Sequence, residues 1–178
     1  MSKDLNLLLA GFGGQGLLFG GKVVAYAGLM EGREISWLPS YGPEMRGGTA
    51  NCSVCVSDAP IGSPLVLNPN VLVAMNLPSL KKFENDVVPG GIILVDSAMI
   101  DAKVERTDVK VFYVPATKMA EDNGLRGLAN IILIGKLYKE LAFCSPEALD
   151  AGLKKSVPAS KAALLESNRQ ALKLGMDF

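Results

Sequence analysis

The first apolar run of the chain, "LNLLLA" (5–10), ends abruptly at glycine. A short run with so little polar relief predicts a strand covered on both faces, as in a parallel sheet. The period then changes. From Leu17 to Met30, Val23, Val24, Ala27 and Met30 can share one helical face and lie on that sheet. "EISWL" (34–38) predicts a second strand that breaks at Pro39, so the first forty residues read as a β-α-β unit with the usual right-handed crossover. "TANCSVCVSD" (49–58) alternates: Ala50, Cys52, Val54 and Val56 fall on one side, and Thr49, Asn51, Ser53 and Cys55 on the other. That alternation predicts a half-covered strand, antiparallel to its neighbours, or a hairpin in the region 49–66.

"APIGSP" then reads as a turn, "NVLVAMN" (70–76) as a buried strand, and "PSLKKFENDV" (78–87) as a helix with proline in its first turn. "GGIILVDS" (90–97) and "VKVFYVPA" (109–116) predict two more strands. "LANIILIGKLYKEL" (128–141) is apolar around most of its circumference, which predicts a helix buried in the domain or against another subunit. "SPEALDAGLKKSV" (145–157) opens with a serine cap, a proline and a first-turn glutamate, and "PASKAALLESNRQALKLG" (158–175) predicts a last helix that stops at Gly175. Alternating strands and helices predict an α/β doubly wound, Rossmann-like sheet, mostly parallel, with the antiparallel exception near 49–66. The 178 residues are expected to form a single domain, 1–178.

Composition narrows the function. Eighteen Lys and Arg balance eighteen Asp and Glu, with no basic stripe to track a phosphate backbone, so no nucleic-acid partner is expected. The N-terminal apolar run is too short to span a membrane and lacks a signal-peptide pattern, which points to a cytoplasmic protein with no membrane partner. The chain contains no histidine, so chemistry that needs a His base or His metal ligand within it is excluded. Cys52 and Cys55 have C-x-x-C spacing, but residues three apart on a strand point to opposite faces. No metal site is expected.

Two segments carry candidate chemistry. "GFGGQG" (11–16) matches G-x-G-x-x-G between a strand and a helix. Gly11, Gly13, Gly14 and Gly16 would allow a tight turn and close approach to a phosphate at the helix N-terminus, and the amide of Gln15 could reach out of the loop. The alternative is a turn that only lets the helix pack close to the sheet. A dinucleotide enzyme also wants an acid near the end of its second strand to hold a ribose. Here that place holds Leu38, Pro39 and Ser40, while Glu31 and Glu34 come too early. "SWLPSYGPEMRGGTAN" (36–51) follows the second strand and should face the same crevice, offering Tyr41, Glu44 and Arg46 on a path stiffened by Pro39 and Pro43. Either Arg46 meets a ligand there, or it pairs with Glu44 and holds the loop together.

"GFGGQG" followed by "SYGPEMRGGTANCSV", then "VLVAMNLPSL", "GGIILVDS" and "GLRGLANIILIGKL", resembles the gamma subunit or gamma domain of the 2-oxoacid:ferredoxin oxidoreductases along the whole chain. Indolepyruvate oxidoreductase has a related beta-subunit region. The resemblance implies part of an enzyme that oxidatively decarboxylates a 2-oxoacid, forms an acyl-CoA and passes electrons to ferredoxin. It implies alpha, beta and delta partners that carry thiamine diphosphate, magnesium and iron–sulfur clusters, with coenzyme A as substrate and no cofactor in this chain. On that reading the chain is a positioning subunit, inert alone and without catalytic residues. Gly11, Gly13, Gly14, Gln15, Gly16, Tyr41, Glu44 and Arg46 are its binding candidates, and Arg46 is suited to a phosphate or carboxylate. The "YGPEMRGG" form inclines the substrate to 2-oxoglutarate, with branched-chain 2-oxoacids next. A free-standing nucleotide-binding dehydrogenase and a non-catalytic interaction module are the competing readings.

Overall fold

The structure, a computed structural model, describes residues 4–40 and 49–178. Its strands are β1 (Leu5–Phe12), β2 (Glu34–Ser40), β3 (Thr49–Ser57), β4 (Val71–Ala74), β5 (Ile92–Asp96) and β6 (Lys110–Val114). Its helices are α1 (Leu17–Met30), α2 (Leu77–Phe83), α3 (Ala116–Asp122), α4 (Ala129–Leu141), α5 (Pro146–Ser156) and α6 (Leu164–Asp177). Among the described residues the strands form one sheet in the order β2-β3-β1-β4-β5-β6. β1, β4, β5 and β6 pair in parallel, while β3 runs antiparallel to both β1 and β2.

β3 therefore lies between the two strands of the expected β-α-β unit. β2 and β3 form the hairpin, so the antiparallel partner of residues 49–57 precedes them and the connection after Ser57 carries no strand. β2 also runs through Pro39, which faces Cys52. A proline removes a ladder donor, and it is tolerated here because, among the described residues, β2 is the edge strand with one side unpaired. β3 is buried on both faces, not half-covered. The connection that follows folds back over its second face, where the Val66 N–H donates to Ser53 Oγ at 3.3 Å and Cys55 Sγ lies 3.9 Å from the Ser63 carbonyl oxygen.

Strand alternation divides the core in two. Leu5, Leu7, Leu9, Val71, Val73 and Leu94 face a layer built from α1, α3, α4, α5 and α6. Leu8, Leu72, Ile93 and Val95 face α2 and the connections around it, with Leu80, Val87 and Ile100. Helices thus cover both faces, unequally. α2 starts where the Asn76 side chain accepts from the Ser79 N–H at 2.8 Å, and α5 where Ser145 Oγ accepts from the Ala148 N–H at 3.2 Å.

The apolar helix α4 is buried within the chain itself, with Ile131, Ile132, Leu133, Ile134 and Leu137 at 0% exposure. Its one buried lysine, Lys136, bonds Glu140 at 2.7 Å and passes over the Phe112 ring. Gly175 does not end the last helix. It sits inside α6, where a Cβ would strike the Ile132 carbonyl oxygen and lie 2.8 Å from the Lys136 nitrogen. A Cβ on Gly135 would strike the Leu172 carbonyl oxygen in the same way. The two helices cross backbone to backbone, which only glycine permits at these points. Gly175→Ala should therefore cost about 1–3 kcal/mol of stability, seen as a lowered denaturant midpoint at unchanged slope.

Candidate functional site

β1 and β4 are parallel neighbours whose chains leave in opposite directions: β1 feeds α1 on one face of the sheet and β4 feeds α2 on the other. This divergence is the crevice where open α/β sheets bind ligands. "GFGGQG" sits there. Gly14 and Gly16 hold positive φ values of 93° and 74°, and Gly16 is the N-cap of α1, with no side chain capping it. Gly13 and Gly14 are exposed.

Gln15 turns back into the protein. Its Oε1 accepts from the Phe12 N–H at 2.6 Å, and its Nε2 donates to the Met75 carbonyl oxygen at 3.0 Å, across the crevice. The side chain bridges the ends of β1 and β4 rather than reaching out of the loop. Gly11 is fitted to this bridge, because a Cβ there would strike Gln15 Oε1 and lie 3.1 Å from Met75 Cβ. Gly16 is fitted to Asn130, the second residue of α4. Asn130 Nδ2 donates to the Gly16 carbonyl oxygen at 2.8 Å, and a Cβ on Gly16 would come within 2.6 Å of that nitrogen.

Tyr41, Glu44 and Arg46 lie outside the described residues. The residues on either side of that segment are placed. Ser40 pairs with Asn51, Ala50 with Gly11 and Thr49 with Phe12, so the segment leaves and re-enters the sheet beside the glycine loop. The glycine loop and the residues on either side of that segment therefore share one end of the sheet.

Beside the loop, on the α1 face, a groove of about 490 Å³ runs past Gly16, Leu18, Phe19, Trp37 and Asn130. Lys22 lies over the Trp37 ring at 5.6 Å, and the indole N–H donates to the Leu18 carbonyl oxygen at 3.2 Å. A larger cavity of about 730 Å³ lies at the opposite end of the sheet, by Leu5, Val71, Ile92 and Lys110, the first residues of β1, β4, β5 and β6. The reading from sequence passed over Asn130. Its one signal was a carboxamide inside an aliphatic run, "LANIILIG".

Cys52 packs under α1 with the first core layer, while Cys55 lies by the loop on the other face, so the C-x-x-C pair diverges. Burial pushes the Cys52 and Cys144 thiols up to about 12, the range of inert packed cysteines. Among the described residues no three His, Cys, Asp or Glu side chains gather in a way that could hold a metal ion.

The family model for pyruvate ferredoxin/flavodoxin oxidoreductase matches residues 6–178. The chain belongs to that family. Within it, the ketoisovalerate oxidoreductase subunit VorA of Methanothermobacter thermautotrophicus is 39% identical over 176 residues, which is 98% of this chain and 36% of that protein. The chain thus spans about a third of that relative. The 2-oxoglutarate synthase subunit KorC of the same organism is 36% identical over 180 residues, covering 97% of this chain and 94% of KorC. Among solved structures, the keto/oxoacid ferredoxin oxidoreductase gamma subunit of Geobacter sulfurreducens PCA superposes with a TM-score of 0.83 at 28% identity, over 97% of this chain and 96% of that one.

Proposed function

We propose that this chain is the gamma subunit of a 2-oxoacid:ferredoxin oxidoreductase, one domain over residues 1–178, working in the cytoplasm. The complex decarboxylates a 2-oxoacid oxidatively, passes the acyl group to coenzyme A and hands the electrons to ferredoxin. Thiamine diphosphate with magnesium and the iron–sulfur clusters reside on alpha, beta and delta partners and supply the decarboxylation and electron transfer when bound. This chain contributes shape and charge. One observation carries the reading: the glycine loop and both anchors of the 41–48 segment occupy the same end of the sheet, at the β1/β4 divergence.

Within that frame Gln15 is a positioning residue that ties the ends of β1 and β4 together. Gly13, Gly14, Tyr41, Glu44 and Arg46 are the residues we assign to contact with the partners and with coenzyme A. We take 2-oxoglutarate as the substrate, on the likeness to KorC. The likeness to VorA makes ketoisovalerate the second reading.

The test is affinity purification of the tagged chain from its own cells, followed by assay. The expected preparation contains thiamine- and cluster-bearing chains and reduces ferredoxin with a 2-oxoacid and coenzyme A, fastest with 2-oxoglutarate, while the chain alone does not turn over. Turnover by the chain alone with a nicotinamide cofactor would instead establish the free-standing dehydrogenase. Isolation without such partners would leave the interaction module.

A further inference from the structure

α4 buries one side chain that its apolar surroundings do not call for. Asn130, the second residue of the helix, is 1% exposed beside Ala129, Ile131 and Ile132. Asparagine is a poor helix former, and an apolar core is a poor place for a carboxamide. Its Nδ2 donates to the Gly16 carbonyl oxygen at 2.8 Å, across 114 residues of chain. Its Oδ1 is buried with no partner among the described residues, and an unpaired buried acceptor costs stability. The Gly16 oxygen is not in need of this bond, because it already receives the Gly20 N–H at 3.0 Å. For the fold alone, an aliphatic residue of the same shape would serve as well.

What the contact does is fix the glycine loop. α1 begins at Gly16 in the left-handed region, with φ 74° and ψ 21°, and glycine has no side chain to cap the helix. A serine or aspartate cap would hold the helix start by taking up its first N–H groups. Asn130 holds it by the carbonyl instead, so those N–H groups are not taken up by it. The fit is close, since a Cβ on Gly16 would come within 2.6 Å of Asn130 Nδ2. Gln15 meanwhile ties the loop to β1 and β4 through the Phe12 N–H and the Met75 carbonyl. Gly13 and Gly14, which are exposed, are thus carried on a loop anchored to both strands and to α4.

We infer that Asn130 is a positioning residue of the assembled enzyme: from the core of α4 it sets the orientation of the glycine loop and of the first turn of α1, at the expense of stability. It touches no ligand and acts only through Gly16. This role rests on the proposed reading, in which the loop meets coenzyme A. Groups already in place before a ligand arrives cost less to order on binding, and a small misplacement of such groups costs about ten- to hundred-fold. Natural proteins commonly give up stability at the places where function needs a fixed polar group.

Asn130→Leu keeps the branched shape and removes both the donor and the unpaired acceptor. Three measurements are made on it and on wild type. The melting temperature should be kept or raised. Backbone amide relaxation of the full chain should show Gln15, Gly16 and Leu17 as rigid in wild type, with order parameters of about 0.85, and clearly lower in the variant. In the assembled complex the KM for coenzyme A should rise by about ten-fold or more, while the KM for the 2-oxoacid stays. A merely structural asparagine predicts the reverse, a lower melting temperature with an unmoved loop and an unmoved KM for coenzyme A, and that result would overturn the role. The relaxation measurement needs no partner, so the two levels fail separately. An unmoved loop overturns the role of Asn130 and leaves coenzyme A assigned to the loop. A loosened loop with both KM values unmoved overturns the role in binding together with that assignment. Wild-type order parameters below about 0.6 at these three amides would also overturn it, however the variant folds.

Discussion

Ile132→Asp should strongly destabilise the folded state. Ile132 is fully buried in α4, inside the main core layer, and its own carbonyl oxygen faces Gly175 of α6 with no room for the helices to part. A carboxylate there has no water, and the nearest cation along the helix, Lys136 one turn on, is already held by Glu140 at 2.7 Å. An uncompensated buried charge costs about 3–5 kcal/mol, out of a total stability of about 5–15 kcal/mol for an ordinary domain. The melting temperature should fall by about 6–20 °C, at 2–4 °C per kcal/mol for a chain of this size. The sign of the pH dependence follows from the same burial. Desolvation raises the folded-state pKa of the new carboxyl above its unfolded value of about 3.9. Between those two values the unfolded state binds fewer protons, so stability falls as pH rises. The deficit against wild type should be larger at pH 7 than at pH 5. Ile132→Val should cost only about 0.5–1.5 kcal/mol and show no such pH dependence. An Asp variant that melts like wild type would mean that α4 is not packed as described.

Arg46→Ala in the assembled enzyme should lower turnover or raise the KM for coenzyme A. A lost charge-assisted contact is worth about 1.5–3 kcal/mol, roughly ten- to hundred-fold. Lysine should restore only part of it, because an ammonium cannot make the planar two-point contact of a guanidinium. If Arg46 instead pairs with Glu44 and holds its segment together, the signature differs. Either single change would then cost stability or assembly, and the rate per intact complex would stay near wild type. Steady-state kinetics on complexes first shown to be fully assembled and normally stable separate the two. Wild-type rates and wild-type coenzyme A dependence in such a preparation would end the ligand role for Arg46.

What the sequence determined by itself is everything set by local period and by caps. Buried runs, alternation and helical faces are properties of neighbouring residues, so the strands starting at Leu5, Glu34, Thr49, Val71, Ile92 and Lys110 were legible, as was the start of α5 at Ser145, whereas Asn76, the cap of α2, read as the end of the strand before it. The divergence of Cys52 and Cys55 was legible for the same reason. The helix at 116–122 went unread because seven residues are too few to display a period.

Tertiary structure decided which strands are neighbours and what each glycine is for. The placement of β3 between β1 and β2 depends on pairings between residues about forty to fifty apart, which no local pattern encodes. Pro39 can lie within a strand only because that strand is the edge, a fact of sheet order. Gly175 carries the sequence signature of a helix stop, yet what demands it is the backbone of α4. Gln15 likewise reads as a free polar group until the Met75 carbonyl, sixty residues away, is placed opposite it. Each of these turns on distance through space between residues remote in the chain. That distance is fixed by how the layers pack, and the sequence expresses it only through the whole fold.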